Sequence, residues 1–189
     1  MKNVTFTIKG ISPYSQSKHI MEPRKERETA EDWEKRTWRE RLHYDDKGQV
    51  YIPPMSIKSS IAECAKFLSI QIPGKGKSTY TKHFDAGLLC AEPVFLDVKR
   101  DDVPGEWLFL NADGVRGSGK RVMKCYPRIE NWEGTVHMTI LDDTITQDVF
   151  EHHLKRAGQF IGIGRFRPRN GGYYGRFTYD NLQVMDEAA

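Results

Sequence analysis

Gly158-Gln-Phe-Ile-Gly-Ile-Gly-Arg-Phe-Arg-Pro-Arg-Asn-Gly-Gly-Tyr-Tyr-Gly-Arg-Phe177 is the stretch on which the reading of the fold turns. Gly158, Gly162, Gly164, Gly171, Gly172 and Gly175 are spaced through it. Between them stand Arg165, Arg167, Arg169 and Arg176, interleaved with Phe160, Phe166, Tyr173, Tyr174 and Phe177. No acid occurs from Lys155 to Tyr179. Glycine permits positive φ and close backbone approach, arginine offers forked donors that match phosphate, and aromatic faces stack on bases. The stretch therefore reads as a loop that grips a nucleic-acid backbone. The alternative is a glycine-rich hairpin with a solvated basic face.

Working outward, Thr146 is placed to cap a helix that runs to about Ala157 and turns Val149, Phe150, Leu154 and Ala157 to one side. A final strand is expected from about Tyr174 to Val184. Upstream, Val136, Met138 and Ile140 alternate in a strand over Thr135–Leu141, and Val4, Phe6 and Ile8 do the same at the start of the chain. Ser56 is expected to cap a helix over Ile57–Leu68 with Ile57, Ile61, Ala65 and Leu68 on one face, and Lys58 stands beside an N-terminus able to hold a phosphate. Tyr44–Ile52 reads as a short hairpin turning at Asp46–Gly48; Val94–Val98 and Trp107–Leu110 are further strands. Thr29–Leu42 is highly charged and reads as a surface helix anchored by Trp33 and Trp38. Stripped of insertions, the order is β-α-β-β-α-β, which predicts an α+β, ferredoxin-like (RNA-recognition-motif-like) core with large insertions.

Two more segments are rich in bases and turn formers. Ile72–Gly87 reads as a mobile, projecting loop with Lys75, Lys77, Lys82 and Tyr80. Asn111–Lys124 reads as a second glycine-and-base loop with Gly114, Gly117, Gly119, Arg116, Lys120, Arg121 and Lys124. Gly114-Val-Arg-Gly-Ser-Gly-Lys-Arg121 nearly spells a phosphate-binding loop of nucleotide hydrolases. That motif needs Ser or Thr after the lysine to hold magnesium, and Arg121 stands there, so nucleotide hydrolysis is rejected.

The chain of 189 residues fits one domain, and its 38% hydrophobic content suffices for a core. A formal charge of +3 is small, but acids and bases are segregated along the sequence, which predicts a positive face. Cys64, Cys90 and Cys125 lie far apart with no ligand spacing, so free thiols in a reducing cytoplasm are expected, with no metal and no cofactor. No apolar run reaches the roughly 20 residues of a membrane span. His19, in the loop after the first strand, is the one candidate general base toward a ribose 2′-hydroxyl.

Lys47-Gly-Gln-Val-Tyr-Ile-Pro-Pro-Met-Ser-Ile-Lys-Ser-Ser-Ile-Ala62 resembles the Gly-x-x-Tyr-Ile-Pro-Gly-Ser-Ser-Leu-Lys-Gly segment of the RAMP superfamily of CRISPR proteins. The glycine-rich stretch is similar to that superfamily's glycine-rich loop. Pro54 and Met55 replace a Gly-Ser pair, and Ser59 replaces a glycine. The closest likeness is to the backbone subunits that polymerise along guide RNA in CRISPR effector complexes. The resemblance implies a ferredoxin-like palm, single-stranded RNA across it and head-to-tail self-association. It also implies a web-like insertion at residues 12–46, a thumb-like basic loop at 71–87 and a glycine-rich loop at 158–177. Some relatives cleave target RNA with an aspartate after the first strand; Ser12–Met21 contains none, so that activity is not carried over.

The expected function is non-catalytic, largely sequence-independent binding of single-stranded RNA, with single-stranded DNA as the other candidate strand. Phosphate contacts fall to Arg165, Arg167, Arg169, Arg116, Lys120, Arg121 and Lys124, with Lys75, Lys77 and Lys82 clamping and Lys58 at the helix start. Tyr80, Phe166 and Tyr173 are the stacking candidates, and Gly162, Gly164, Gly171 and Gly172 permit backbone approach. Two alternatives stand beside it: a metal-independent RAMP endoribonuclease using His19, and a phage-type mimic or inhibitor that docks on a RAMP assembly.

Overall fold

The alternation at the start of the chain builds the centre of the molecule. In the computed structural model, which describes residues 1–112, 115, 117 and 119–186, strand β1 spans Lys2–Gly10. There follow α1 (Ala30–Thr37), β2 (Gln49–Ile52), α2 (Pro54–Leu68), α3 (Thr81–Ala86), β3 (Leu88–Leu89), β4 (Val94–Lys99), β5 (Gly105–Asn111), β6 (Arg121–Pro127), β7 (Glu133–Ile140), α4 (Gln147–Arg156) and β8 (Phe177–Asp186). A four-stranded sheet has the spatial order β3-β7-β1-β8, and every neighbouring pair in it is antiparallel. β2 pairs with β4 and β5 with β6, also antiparallel. The class is mixed α+β.

Val4, Phe6 and Ile8 point to one face of the sheet, where they share a buried cluster with Ile57 and Ile61 of α2 and Phe150 and Leu154 of α4. The Phe6 and Phe150 rings meet edge-on at 6.1 Å. By the period-2 rule the opposite face carries Asn3, Thr5, Thr7 and Lys9 beside Thr135, His137 and Thr139. Those positions offer no phenyl, phenol or indole ring. β8 contains a bulge, since Thr5 faces Gln183 but Thr7 faces Asp180. Asn181, at φ +55°, takes up the extra residue in a left-handed conformation that asparagine tolerates. Tyr179, Leu182 and Val184 thereby all stay against the core.

Helix α2 begins earlier than expected and without the expected cap. Pro53 is the flanking residue and Pro54 the first helical one, where a missing N–H is no loss. Ser56 is inside the helix and does not cap it. Thr29 does cap α1, its hydroxyl accepting from the Asp32 N–H at 3.1 Å. Thr146 caps α4, accepting from the Val149 N–H at 3.4 Å.

The segment 71–87 is not a loop throughout. Ile72 and Tyr80 are buried, Gln71 bridges to Thr79, and Thr81–Ala86 is helical with Phe84 fully enclosed. Burying a side chain such as Phe84 contributes about 1.5–3 kcal/mol, which outweighs the local preference of its polar neighbours for turns. Arg121 and Lys124 likewise sit on strand β6, Arg121 opposite Asn111, and not in a loop. Helix α1 docks on this hairpin through Glu34, whose carboxylate is fully buried. It accepts from Arg41 at 2.7 Å, from the Cys125 N–H at 2.9 Å and from Lys124 at 3.2 Å. Trp38 is buried beside it, in line with a docking role. Among the described residues no helix is long and apolar enough to cross a membrane.

Candidate nucleic-acid interface

After α4 the chain makes one wide turn, with the Gly162 N–H bonded back to the Ala157 carbonyl at 2.9 Å. The glycine-rich stretch then lies between α2 and the segment that follows β1. Arg165 N–H donates to the Ser15 carbonyl, and Gly175 N–H donates to the Pro13 carbonyl, both at 2.8 Å. The Ser12 hydroxyl donates to the Tyr173 carbonyl at 2.6 Å and accepts from the Arg176 N–H at 3.0 Å. On the other side the buried Ser60 hydroxyl donates to the Gly162 carbonyl at 3.0 Å. These bonds fix the path of the stretch on two elements.

The glycines serve mainly that path. At Gly164 (φ +76°) a Cβ would lie 2.4 Å from the Ser15 oxygen, and at Gly172 one would lie 1.8 Å from the Phe166 oxygen. Gly162 is similarly crowded by Pro168 and by the Tyr174 and Gly175 carbonyls. The close approach expected toward a ligand is thus, at Gly162, Gly164 and Gly172, an approach to the protein's own chain. Gly171 alone of the four expected positions opens onto free space.

The arginines have partners that no local pattern announces. Arg165 places its guanidinium 3.6 Å from the centre of the Tyr126 ring, and Arg41 lies 4.9 Å from the same ring. Arg167 Nη2 meets Glu63 Oε2 at 2.9 Å, while Arg169 Nε meets the other oxygen at 3.0 Å. Glu63 is therefore the residue that sequence reasoning missed. It sits on α2, 106 residues from Arg169, and only the fold brings them together. Arg169 also lies 5.6 Å from the Phe67 ring. Phe166 (φ +55°) and Tyr173 are each about half exposed.

The remaining basic candidates divide between the groove that Arg169 lines and other surfaces. Lys58 donates to the Asp85 carbonyl at 2.5 Å and lines an open groove of about 600 Å³ with Lys66, Phe67, Asp85 and Arg169. Arg121 and Lys124 line a separate groove with Arg24, Glu31 and Phe109. Lys75, Lys77, Lys82 and Lys120 are exposed, and Arg116 lies outside the described residues. Arg167 and Arg169 lie against α2, Arg165 reaches the β5–β6 hairpin at Tyr126, and Arg121 and Lys124 line the groove beside α1. Tyr80 is removed as a stacking residue, because its ring is buried among Phe84 and His153.

His19 is exposed and makes no hydrogen bond or ion pair among the described residues. No group of His, Cys, Asp or Glu among the described residues is arranged to hold a metal ion. All three cysteines are free and buried; burial pushes the Cys64 thiol to about 12 and those of Cys90 and Cys125 to about 11. Burial, then the carboxylate of Glu106 that accepts its hydroxyl at 2.7 Å, raises Tyr174 well above the usual tyrosine range.

No protein-family model matches this chain. No curated protein matches it either.

Proposed function

We propose that the protein is a non-catalytic, largely sequence-independent binder of single-stranded RNA, built on a ferredoxin-like core of the RAMP kind and assembling head to tail along the strand. We read the core from β1, α2, β3, β7, α4 and β8, which run in the order β-α-β-β-α-β once the intervening elements are set aside as insertions. Support for an RNA path along the glycine-rich loop, in place of one across the sheet, comes from the open sheet face, where the threonines offer no ring and His137 is the one aromatic side chain that β1 and β7 place there.

One observation carries the reading. Phe166 stands half exposed between Arg165 and Arg167, in a left-handed backbone conformation that costs a bulky residue about 1–3 kcal/mol. An aromatic ring half exposed at that cost, with the Arg165 guanidinium 5.9 Å from its centre on a pinned loop, suits a base and a neighbouring phosphate.

The test is binding of a fluorescent single-stranded RNA over a range of salt concentrations, with single-stranded DNA in parallel. Changing Arg165, Arg167 and Arg169 together to alanine should weaken binding and reduce the salt slope by about 2, at about 0.7 per lost phosphate contact. Unchanged affinity and slope would overturn the proposal. The same purified particle, sized before and after nuclease, tests assembly: a large nuclease-sensitive particle is expected, and a copurifying protein partner without nucleic acid would favour the inhibitor reading. Cleavage of a hairpin RNA in chelator that is lost in His19→Ala would favour the endoribonuclease.

A further inference from the structure

We infer that the outer face of α2 is a nucleotide subsite, in which Glu63 holds the place of an RNA phosphate and the exposed Phe67–Phe160 pair receives the adjoining base. The inference rests on the RNA-binding reading above and deepens it.

The geometry begins with the carboxylate. Each Glu63 oxygen takes one guanidinium, Arg167 at 2.9 Å and Arg169 at 3.0 Å. Two forked donors converging on a small oxyanion form the arrangement that also grips phosphate. The carboxylate is more than a quarter exposed, so the pair exchanges readily with solvent anions. Both arginines are thus oriented before any ligand arrives, and a phosphate that displaces Glu63 inherits the fork.

One helical turn on, Phe67 and Phe160 face each other at 6.0 Å and leave 50% and 45% of their surfaces in water. Large aromatic side chains normally bury most of their area. Arg169 spans the two features, with its guanidinium 5.6 Å from the Phe67 ring and its Nε on Glu63. The groove beside them is about 600 Å³, within the roughly 300–1,000 Å³ of small-molecule sites, and Lys66 adds a further cation at its edge. Basic fork, aromatic pair and open groove are each suited to one part of a nucleotide.

Fluorescent oligouridylate titrations over a range of salt decide the matter. Glu63→Gln removes the carboxylate that competes for both arginines and should tighten binding about tenfold, with the salt slope near the parent's because the same guanidinium groups meet the strand. Phe67→Ala should weaken binding about tenfold, as loss of one base stack does, with the slope unchanged. Both residues are partly exposed, so the variants should fold, which circular dichroism verifies. If Glu63→Gln and Phe67→Ala both bind as the parent does, while the triple arginine variant still loses binding, the subsite is wrong and the RNA-binding reading survives. If the parent binds no RNA, both fall. If Phe67→Ala changes only the size of the assembly, the face is a contact between copies and the subsite is overturned.

Discussion

The Arg165 guanidinium lies 3.6 Å from the centre of the Tyr126 ring, and this contact joins the glycine-rich loop to the β5–β6 hairpin. It also fixes the direction of a cation that has no acid partner among the described residues. A cation over an aromatic face is worth about 0.5–2 kcal/mol, according to how far it is desolvated. Tyr126→Phe should therefore keep stability and RNA binding near the parent's, whereas Tyr126→Leu should lose about 1 kcal/mol in urea unfolding, within the range of that interaction. Tyr126→Leu should also weaken RNA binding severalfold, because Arg165 is no longer held in place.

Glu34 carries the docking of α1. Burial alone would raise its carboxyl. The hydrogen bonds from Arg41, the Cys125 N–H and Lys124 outweigh that, and hold it below the ordinary 4.5. A carboxyl depressed in the fold contributes stability above its unfolded value and loses it as pH falls through the folded one. The protein should therefore lose stability as pH drops below 4.5, and Glu34→Gln should flatten that part of the profile. At neutral pH the truncation Glu34→Ala takes the carboxylate from Arg41 and the acceptor from the Cys125 amide and should cost about 3–5 kcal/mol by chemical denaturation.

Two glycines in one loop make a controlled pair. Gly164 and Gly171 share nearly the same φ, +76° and +77°, but only Gly164 is crowded, with Ser15 and Tyr14 against its missing Cβ. Gly171→Ala should cost about 1 kcal/mol, the strain of a left-handed alanine alone. Gly164→Ala adds a steric clash and should cost about 3 kcal/mol or more, placing it among the severe single substitutions. Thermal unfolding of the two variants side by side measures the difference.

His153 is buried against Phe84, with ring centres 4.4 Å apart. Its Nδ1–H donates to the Val149 carbonyl at 2.7 Å, while Nε2 is buried without a partner. Burial, its main cause, lowers the His153 pKa below 6.5, so the folded state keeps the ring neutral. A histidine depressed in the fold stabilises above its unfolded value and destabilises as pH falls through it. Stability should decline as pH drops from 6.5 toward 5, and His153→Leu should remove that part of the decline. Because the unpaired nitrogen goes with it, the same variant should be no less stable than the parent at neutral pH.

The features legible in the sequence were those written in local spacing. Val4, Phe6 and Ile8 declared β1, Thr29 marked the start of α1, Thr146 declared the cap of α4, and the glycine-rich stretch declared a loop. Tyr80 and Phe84 stand four apart, as a buried helix face does, yet surrounding lysines and glycines disguised the segment as solvent-borne. β6 was ambiguous rather than hidden: the Arg121–Tyr126 run fits a strand or a loop, because Arg121, Lys124 and Arg128 obscured the pairing of Val122, Cys125 and Tyr126 with β5. The partners of the arginines were beyond local reading altogether. Glu63 and Tyr126 meet the loop only after the chain has folded back on itself, and no spacing rule encodes a contact of that range.

The three enclosed thiols give the molecule a set of internal clocks. Cys64 lies in α2, Cys90 just after β3 and Cys125 in the hairpin, and each is shielded from alkylating reagents both by packing and by a raised ionisation. Reagent reaches each sulfur only when its own neighbourhood opens. The order in which the native cysteines become labelled therefore ranks the local breathing of the helix, the sheet edge and the hairpin without a single engineered probe.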